Sequence, residues 1–244
     1  MVGRPIVERI SSSEQSLTDR AIRAIRDAIN DGALVPGELY SVKRLADELG
    51  VSRSPARDAL LRLEETGVIK FERNRGFRIT MPLPTDLAEM FAVRMALECP
   101  AAAAAAAQAS HLQRAVISAE LEKMREAAIT DQEALFQQHD QLLHRSILEA
   151  AGNQHARKIV ESIRDATRLV GASTFENFRT LREVYHEHVP IVDAVLAGNA
   201  SLAAQAMGEH LTNTGQLLIR KALGDSTGEA ARQLWAAKVY LTSN

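Results

Sequence analysis

Three histidines and an aspartate in the second half of this 244-residue chain have the spacing of a metal site. Asp140 and His144 stand at i and i+4, so on a helix both donors project from one face. His188 lies ten residues before Gly198 and His210 twelve after it. If Gly198-Asn199 turns the chain between antiparallel helices, both rings stand roughly 15–18 Å from the bend, at ~1.5 Å per residue. They then face each other at one level. Three imidazoles and a carboxylate suit a divalent transition metal, zinc first with nickel or manganese as alternatives, and leave positions for water or a ligand. Spacing alone does not single out these four, because His139, His155 and His186 are equally at hand. Pro190, two residues after His188, removes a helical N–H and is expected to bend the chain there.

A second constellation lies in the first third. Ser52-Arg53-Ser54-Pro55-Ala56-Arg57 sets Arg53 and Arg57 one turn apart, away from an apolar stripe of Ala56, Leu60 and Leu63. Arginine forks chelate the O6/N7 edge of guanine or clamp phosphates, and serines suit phosphates. Charge distribution agrees. Val42 to Arg78 holds nine Lys/Arg against six Asp/Glu, whereas the whole chain carries a net charge of −2. A nucleic-acid role therefore belongs to this segment and not to the whole surface.

The elements that position these residues follow from periodicity. Leu17 to Ile29 has a helical stripe of Leu17, Ala21, Ile22, Ile25, Ala28 and Ile29, ending at Asn30-Asp31-Gly32; Pro36-Gly37 marks a turn. Ser41 can cap a short helix that buries Val42, Leu45, Ala46 and Leu49 and stops at Gly50. Ser52 can cap the next helix, with Pro55 in its first turn; Ala56, Ala59, Leu60 and Leu63 face inward until Gly67. Val68–Phe71 and Phe77–Thr80 read as strands around the tip Arg73-Asn74-Arg75-Gly76. Two short helices about Gly50-Val51 followed by a hairpin make a winged helix-turn-helix, whose second helix enters the major groove.

Met81-Pro82-Leu83-Pro84 reads as a linker, and the remainder reads as helix. A capping box of Asp86 and Glu89 opens a helix into the alanine tract Ala101–Ala107, with a kink at Pro100. Further helices are expected at about 110–129, 131–151, 154–172, 178–197 and 200–223, broken at Thr130-Asp131, Gly152-Asn153, Gly171 and Gly198-Asn199, with another around Leu234, Trp235 and Val239. The expected architecture is mainly α. It comprises a DNA-binding domain over 1–80, a linker over 81–85, an antiparallel helical bundle over 86–223 and a tail or extra helix over 224–244. Arg4, Glu8, Arg9 and Glu14 deny the N-terminus the apolar stretch of a secretory signal, and no run of about 18 apolar residues suggests a membrane span. A single cysteine, Cys99, fits a reducing cytoplasm.

The run PGELYSVKRLADELGVSRSPARDALLRLEETGVIKFERNRGFRI resembles the winged helix-turn-helix of GntR-type regulators. Ala56 stands where that family usually has valine, and Ser54 where it often has threonine. The resemblance implies base or phosphate contacts from Lys43, Ser52, Arg53, Ser54 and Arg57. It places Arg75 and Gly76 in a wing near the minor groove. The helical half resembles the FCD effector domain of the FadR-like subfamily, whose metal-binding members carry D-x-x-[FL]-H and two later histidines; DQLLH, His188 and EHL at His210 match those places. That likeness implies a metal that helps hold a carboxylate-bearing effector. Arg94, in VRMALE, matches an arginine facing the pocket, although a surface ion pair with Glu98 one turn on would equally occupy it; Asn213 is a lesser candidate. The expected protein is a homodimeric regulator, more often a repressor, that binds a double-stranded palindromic operator and senses a small carboxylate or sugar acid. The competing readings are a metal-dependent hydrolase with a DNA-targeting head and a ligand-free dimerisation module. Glu187 and Glu209, next to the histidines, are expected on other helix faces and so poorly placed as a general base.

Overall fold

The computed structural model describes residues 16–30, 33–65, 67–80, 82–169 and 179–239. The chain divides after Thr80 into two compact units. Asp31-Gly32, Met81, the Gly171 break and the N-terminal residues Arg4 to Glu14 lie outside the described residues.

The first unit is built from α1 (Leu17–Asn30), β1 (Leu39–Tyr40), α2 (Val42–Leu49), α3 (Arg53–Glu65), β2 (Ile69–Glu72) and β3 (Gly76–Ile79). Ser41 caps α2 by accepting from the Arg44 N–H, and Gly50 ends it in the left-handed region at φ 65°. Ala56, Ala59, Leu60 and Leu63 of α3 are buried with Ile25, Leu45, Phe77 and Ile79, whereas Leu17 at the start of α1 is exposed. The strands form an antiparallel sheet in the order β1-β3-β2. β1 is an addition to the expected hairpin. At two residues it is too short to show alternation, and it reads as the tail of the Pro36-Gly37 turn. Its presence fixes Gly76: a Cβ there would stand 2.0 Å from the Tyr40 carbonyl oxygen, so no other residue fits.

The second unit contains α4 (Pro84–Gln108), α5 (His111–Ile129), α6 (Glu133–Ala150), α7 (Gln154–Leu169), α8 (Leu181–Leu196), α9 (Ala200–Leu223) and α10 (Glu229–Lys238). α4 starts three residues earlier than the Asp86/Glu89 capping box implies, with Leu83 and not Asp86 at the N-cap. Pro84 occupies its first turn, where the missing N–H costs little, and Asp86 accepts from the Leu83 N–H at 3.1 Å. The helix continues through Pro100. Its alanines Ala101, Ala102, Ala105 and Ala106 are buried, and α9 is its most extensive neighbour. By length and composition α4 alone among the described residues passes for a membrane span. Yet Arg94 and Glu98 at its centre form a buried ion pair that reaches His144 on α6. Arg114 of α5 donates to the Ala106 carbonyl at 2.7 Å and the Leu196 carbonyl at 2.9 Å, gathering the last carbonyls of α4 and α8. α10 closes on α4 and α9, with Trp235 against Phe91 at 6.0 Å between ring centres. Gly215 makes room for it, since a Cβ there would lie 2.2 Å from the indole.

Candidate DNA interface and metal centre

In the first unit the apolar back of α3 leaves a polar front. Lys43, Ser52, Arg53, Ser54, Arg57 and Arg75 are exposed, and Gly76 is half-buried at the base of the wing. Lys43, Arg57, Arg75 and Gly76 line one cleft of about 560 Å³ between α2, α3 and the β2–β3 turn. Ser52, Arg53 and Ser54 are not among its walls. Phe71, outside the expected set, is: the Arg57 guanidinium lies 5.3 Å over its ring, which limits the orientations of that arginine. Asn74 turns the wing with φ 60°, and Arg75 bonds Glu72 at 2.9 Å while staying largely exposed.

In the second unit Asp140 and His144 of α6, His188 of α8 and His210 of α9 converge, with one potential ligand atom from each lying within 4.8 Å of the others. α8 and α9 form the antiparallel hairpin about Gly198, and the rings of His188 and His210 stand 4.1 Å apart. Pro190 lies inside α8 without displacing His188, whose Nε2 is 3.2 Å from that of His144 and 3.0 Å from Asp140 Oδ1. His144 Nε2 is 3.8 Å from the same oxygen. Ligands ~2.1 Å from a common ion stand about 3.4 Å apart in a tetrahedron, so these separations fit the donor set of a divalent ion.

The protonation pattern also fits. His144 Nδ1 donates to Glu98 at 2.5 Å, His188 Nδ1 to the Val184 carbonyl at 2.8 Å, and His210 Nδ1 to Glu187 at 3.0 Å. Acceptors at Nδ1 favour the tautomer with the proton on that nitrogen, which leaves the inward Nε2 as the potential ligand atom. Burial pushes His144 down to about 4 and His210 well below the usual imidazole range, which keeps both rings neutral. Burial would raise the Asp140 carboxyl, but the Arg164 guanidinium bonded to it, together with His188 and His144, outweighs that and holds it well below the usual carboxylate range.

A pH prediction follows from His144. Between about 6.5 and 4 the unfolded chain binds a proton there that the native ring refuses, so stability rises with pH across that window and is lost on acidification. At ~1.4 kcal/mol per unit the loss is on the order of 3 kcal/mol. Urea unfolding of chelator-treated protein measures it; a flat profile contradicts the burial of a neutral ring.

Four charged partners of this cluster escape sequence reasoning: Glu98, Arg164, Arg179 and Glu187. Glu187 corrects an expectation. It neighbours His188 in sequence but bonds His210 across the helix pair, and it accepts from Arg179 at 2.7 Å. Glu209 is exposed and accepts from Gln205 Nε2 at 2.9 Å. Arg94 is buried: its Nε donates to Glu98 at 2.6 Å, its guanidinium lies 4.9 Å over Phe91, and its Nη2 has no partner. The expected alternative, a pair with Glu98, is present, and it lies in the core and not on the surface. Asn213 is exposed in a cleft of about 260 Å³ between α9 and α10, with Glu187, Arg220 and Arg232, and is not one of the converging residues.

A DNA-reading head of this form joined to an all-helical sensor-type bundle defines a class, the two-domain bacterial transcription regulator. Residues 17–79 match the bacterial regulatory proteins of the gntR family, and residues 89–213 match the FCD domain. The chain belongs to the GntR family and carries an FCD domain. It is 28% identical over 214 residues to the HTH-type transcriptional regulator LutR of Bacillus subtilis, covering 78% of this chain and 95% of that one. It is 29% identical over 231 residues to the Glc operon transcriptional activator of Escherichia coli, covering 85% and 87%. Among solved structures, E. coli McbR/YncC shares the fold, with a TM-score of 0.73 at 22% identity over 85% of this chain and 99% of that one. These relatives are regulators of transcription and not enzymes, and so is this protein.

Proposed function

We propose that the protein is a homodimeric, FadR-like regulator that reads a palindromic operator in the cytoplasm and senses a small carboxylate or sugar acid at a metal held by Asp140, His144, His188 and His210. One observation carries the sensing half: the buried Nε2 atoms of His144 and His188, whose Nδ1 atoms face other acceptors, lie 3.2 Å apart with Asp140 beside them. Lone pairs on those Nε2 atoms would repel unless a cation lies among them, and burial disfavours a proton. Zinc suits a closed tetrahedron of these four; nickel or manganese would add positions for a ligand. A bound ion would supply a Lewis-acidic centre for a carboxylate. Arg94 Nη2 and Arg164 Nε, both buried without a partner, offer further donors to the same anion. Asn213, being solvent-facing, is the weaker anchor.

The DNA half rests on Arg53 and Arg57 at the start of α3, with Lys43, Ser52 and Ser54 beside them and Arg75 and Gly76 in the wing. One helix reads too few base pairs for useful specificity, so a two-fold dimer on inverted half-sites supports the assignment. The effector would then shift the population of DNA-competent dimers. Whether the outcome is repression, the family's commoner habit, or activation, as the name of the Glc relative prints, depends on where the operator lies relative to the promoter.

Fluorescence anisotropy with operator fragments selected from genomic DNA tests both halves. Arg57→Ala is expected to weaken binding roughly tenfold to a hundredfold, as loss of ~1–3 kcal/mol per bidentate contact implies. A carboxylate panel is expected to change wild-type affinity only when metal is present. Intact affinity in Arg57→Ala sinks the DNA assignment, and indifference to the whole panel sinks the sensing one.

A further inference from the structure

We propose that Glu98 and Glu187 are positioning residues for the metal, each an arginine-anchored carboxylate that fixes one histidine ligand in its metal-ready tautomer. The inference rests on the metal reading above and assigns work to residues outside the four ligands.

The two carboxylates reach their histidines from different helices by one arrangement. Glu98, on α4, accepts from His144 Nδ1 through one oxygen and from Arg94 Nε through the other. Glu187, on α8, accepts from His210 Nδ1 and from Arg179 Nη1 through the same oxygen. Arg179 is held in turn by Thr214 of α9 at 3.2 Å. The third histidine uses main chain, since His188 Nδ1 donates to the Val184 carbonyl one turn back on its own helix.

The consequence is a division of labour. A neutral imidazole can carry its proton on either nitrogen, and only the Nδ1–H form leaves Nε2 free to bind a cation. A helix carbonyl is always an acceptor, so His188 is set by secondary structure. His144 and His210 sit on α6 and α9 with no such carbonyl bonded to them, and a carboxylate from a neighbouring helix takes its place. Glu98 is 1 % exposed and is tethered by Arg94 through one oxygen, which leaves the other aimed at His144 Nδ1. The arginines thus hold the carboxylates in place, the carboxylates orient the rings, and the rings present Nε2 to the ion.

The test uses full-length protein and the variants Glu98→Gln and Glu187→Gln, with Glu209→Gln as control. A glutamine keeps the shape but can turn its amide nitrogen toward Nδ1, which lets the proton move to Nε2. Two readouts are taken: zinc affinity by chelator competition, and the histidine tautomers of metal-free protein by two-bond 1H–15N correlation. The expected result is a tenfold to hundredfold loss of zinc affinity in each variant. It should be accompanied by a tautomer change at His144 in one and at His210 in the other, with Glu209→Gln unchanged in both. Glu187, partly exposed, keeps the test decisive if Glu98→Gln does not fold. Wild-type affinity and unchanged tautomers in the variants overturn the proposal. If the wild-type protein takes up no zinc, nickel or manganese, the metal reading fails, and the tautomers alone decide whether Glu98 and Glu187 orient the rings.

Discussion

Replacing His188 with alanine is expected to lower zinc affinity by on the order of a hundredfold. Structural zinc sites gain roughly 10–16 kcal/mol from four donors, so an average donor contributes about 3 kcal/mol, and each 1.4 kcal/mol is tenfold. His188 is the strongest case because its Nε2 lies within hydrogen-bond distance of both His144 Nε2 and Asp140 Oδ1, at 3.2 and 3.0 Å. Its ring is fully buried, so no water replaces it without rearrangement. Chelator competition measures the loss, and His155→Ala, at an exposed site on α7, serves as the control that leaves affinity intact. The same change should erase metal-dependent thermal stabilisation. At a hundredfold excess over Kd that stabilisation is about 2.7 kcal/mol, or about 5–10 °C for a unit of this size. Equal affinity in His188→Ala and His155→Ala means that the four residues do not hold the ion.

Arg94→Ala is expected to destabilise the metal-free protein by about 3–5 kcal/mol, because it strands the Glu98 carboxylate in the core. Glu98 then keeps only His144 among its close partners. The loss should appear as a Tm lower by roughly 10 °C in calorimetry. Adding Glu98→Gln to Arg94→Ala should recover part of it, since the buried charge is gone; a double-mutant cycle isolates that coupling. An arginine that served only the effector would behave differently, leaving the apo protein at wild-type stability and affecting ligand binding alone. The orphaned Nη2 lets Arg94 do both, so effector affinity should fall as well.

Local pattern made much of this arrangement readable. The inward positions of α3 follow from helical spacing, and the turn at Gly198-Asn199 sets the level at which His188 and His210 meet. Asp140 and His144 share a face because four residues make one turn. The partners of those four residues obey no such rule. Glu98 and His144 are 46 positions apart, Arg164 and Asp140 24, Glu187 and His210 23, each joined only by helix packing. Glu187 shows the trap: adjacency to His188 turns it away from that ring, and the same rotation brings it to the neighbouring helix. β1 escaped for another reason, since two residues cannot display a period. Pro190 misleads in the opposite direction, because tertiary packing keeps α8 helical through a residue that local rules count as a breaker.

The matched FCD region ends at residue 213, and α10 lies beyond it, carrying the chain's single tryptophan. Trp235 fills the notch left by Gly215 and packs against Phe91, whose ring also carries the Arg94 guanidinium at 4.9 Å. The protein therefore contains its own optical probe. With one indole, excitation at the red edge, where the three tyrosines do not absorb, reports on a single site, and the chromophore is two contacts from the Arg94–Glu98 ion pair that bonds His144. Emission from unlabelled protein thus gives a site-specific signal of whether α4, α9 and α10 respond when a metal or a carboxylate is added.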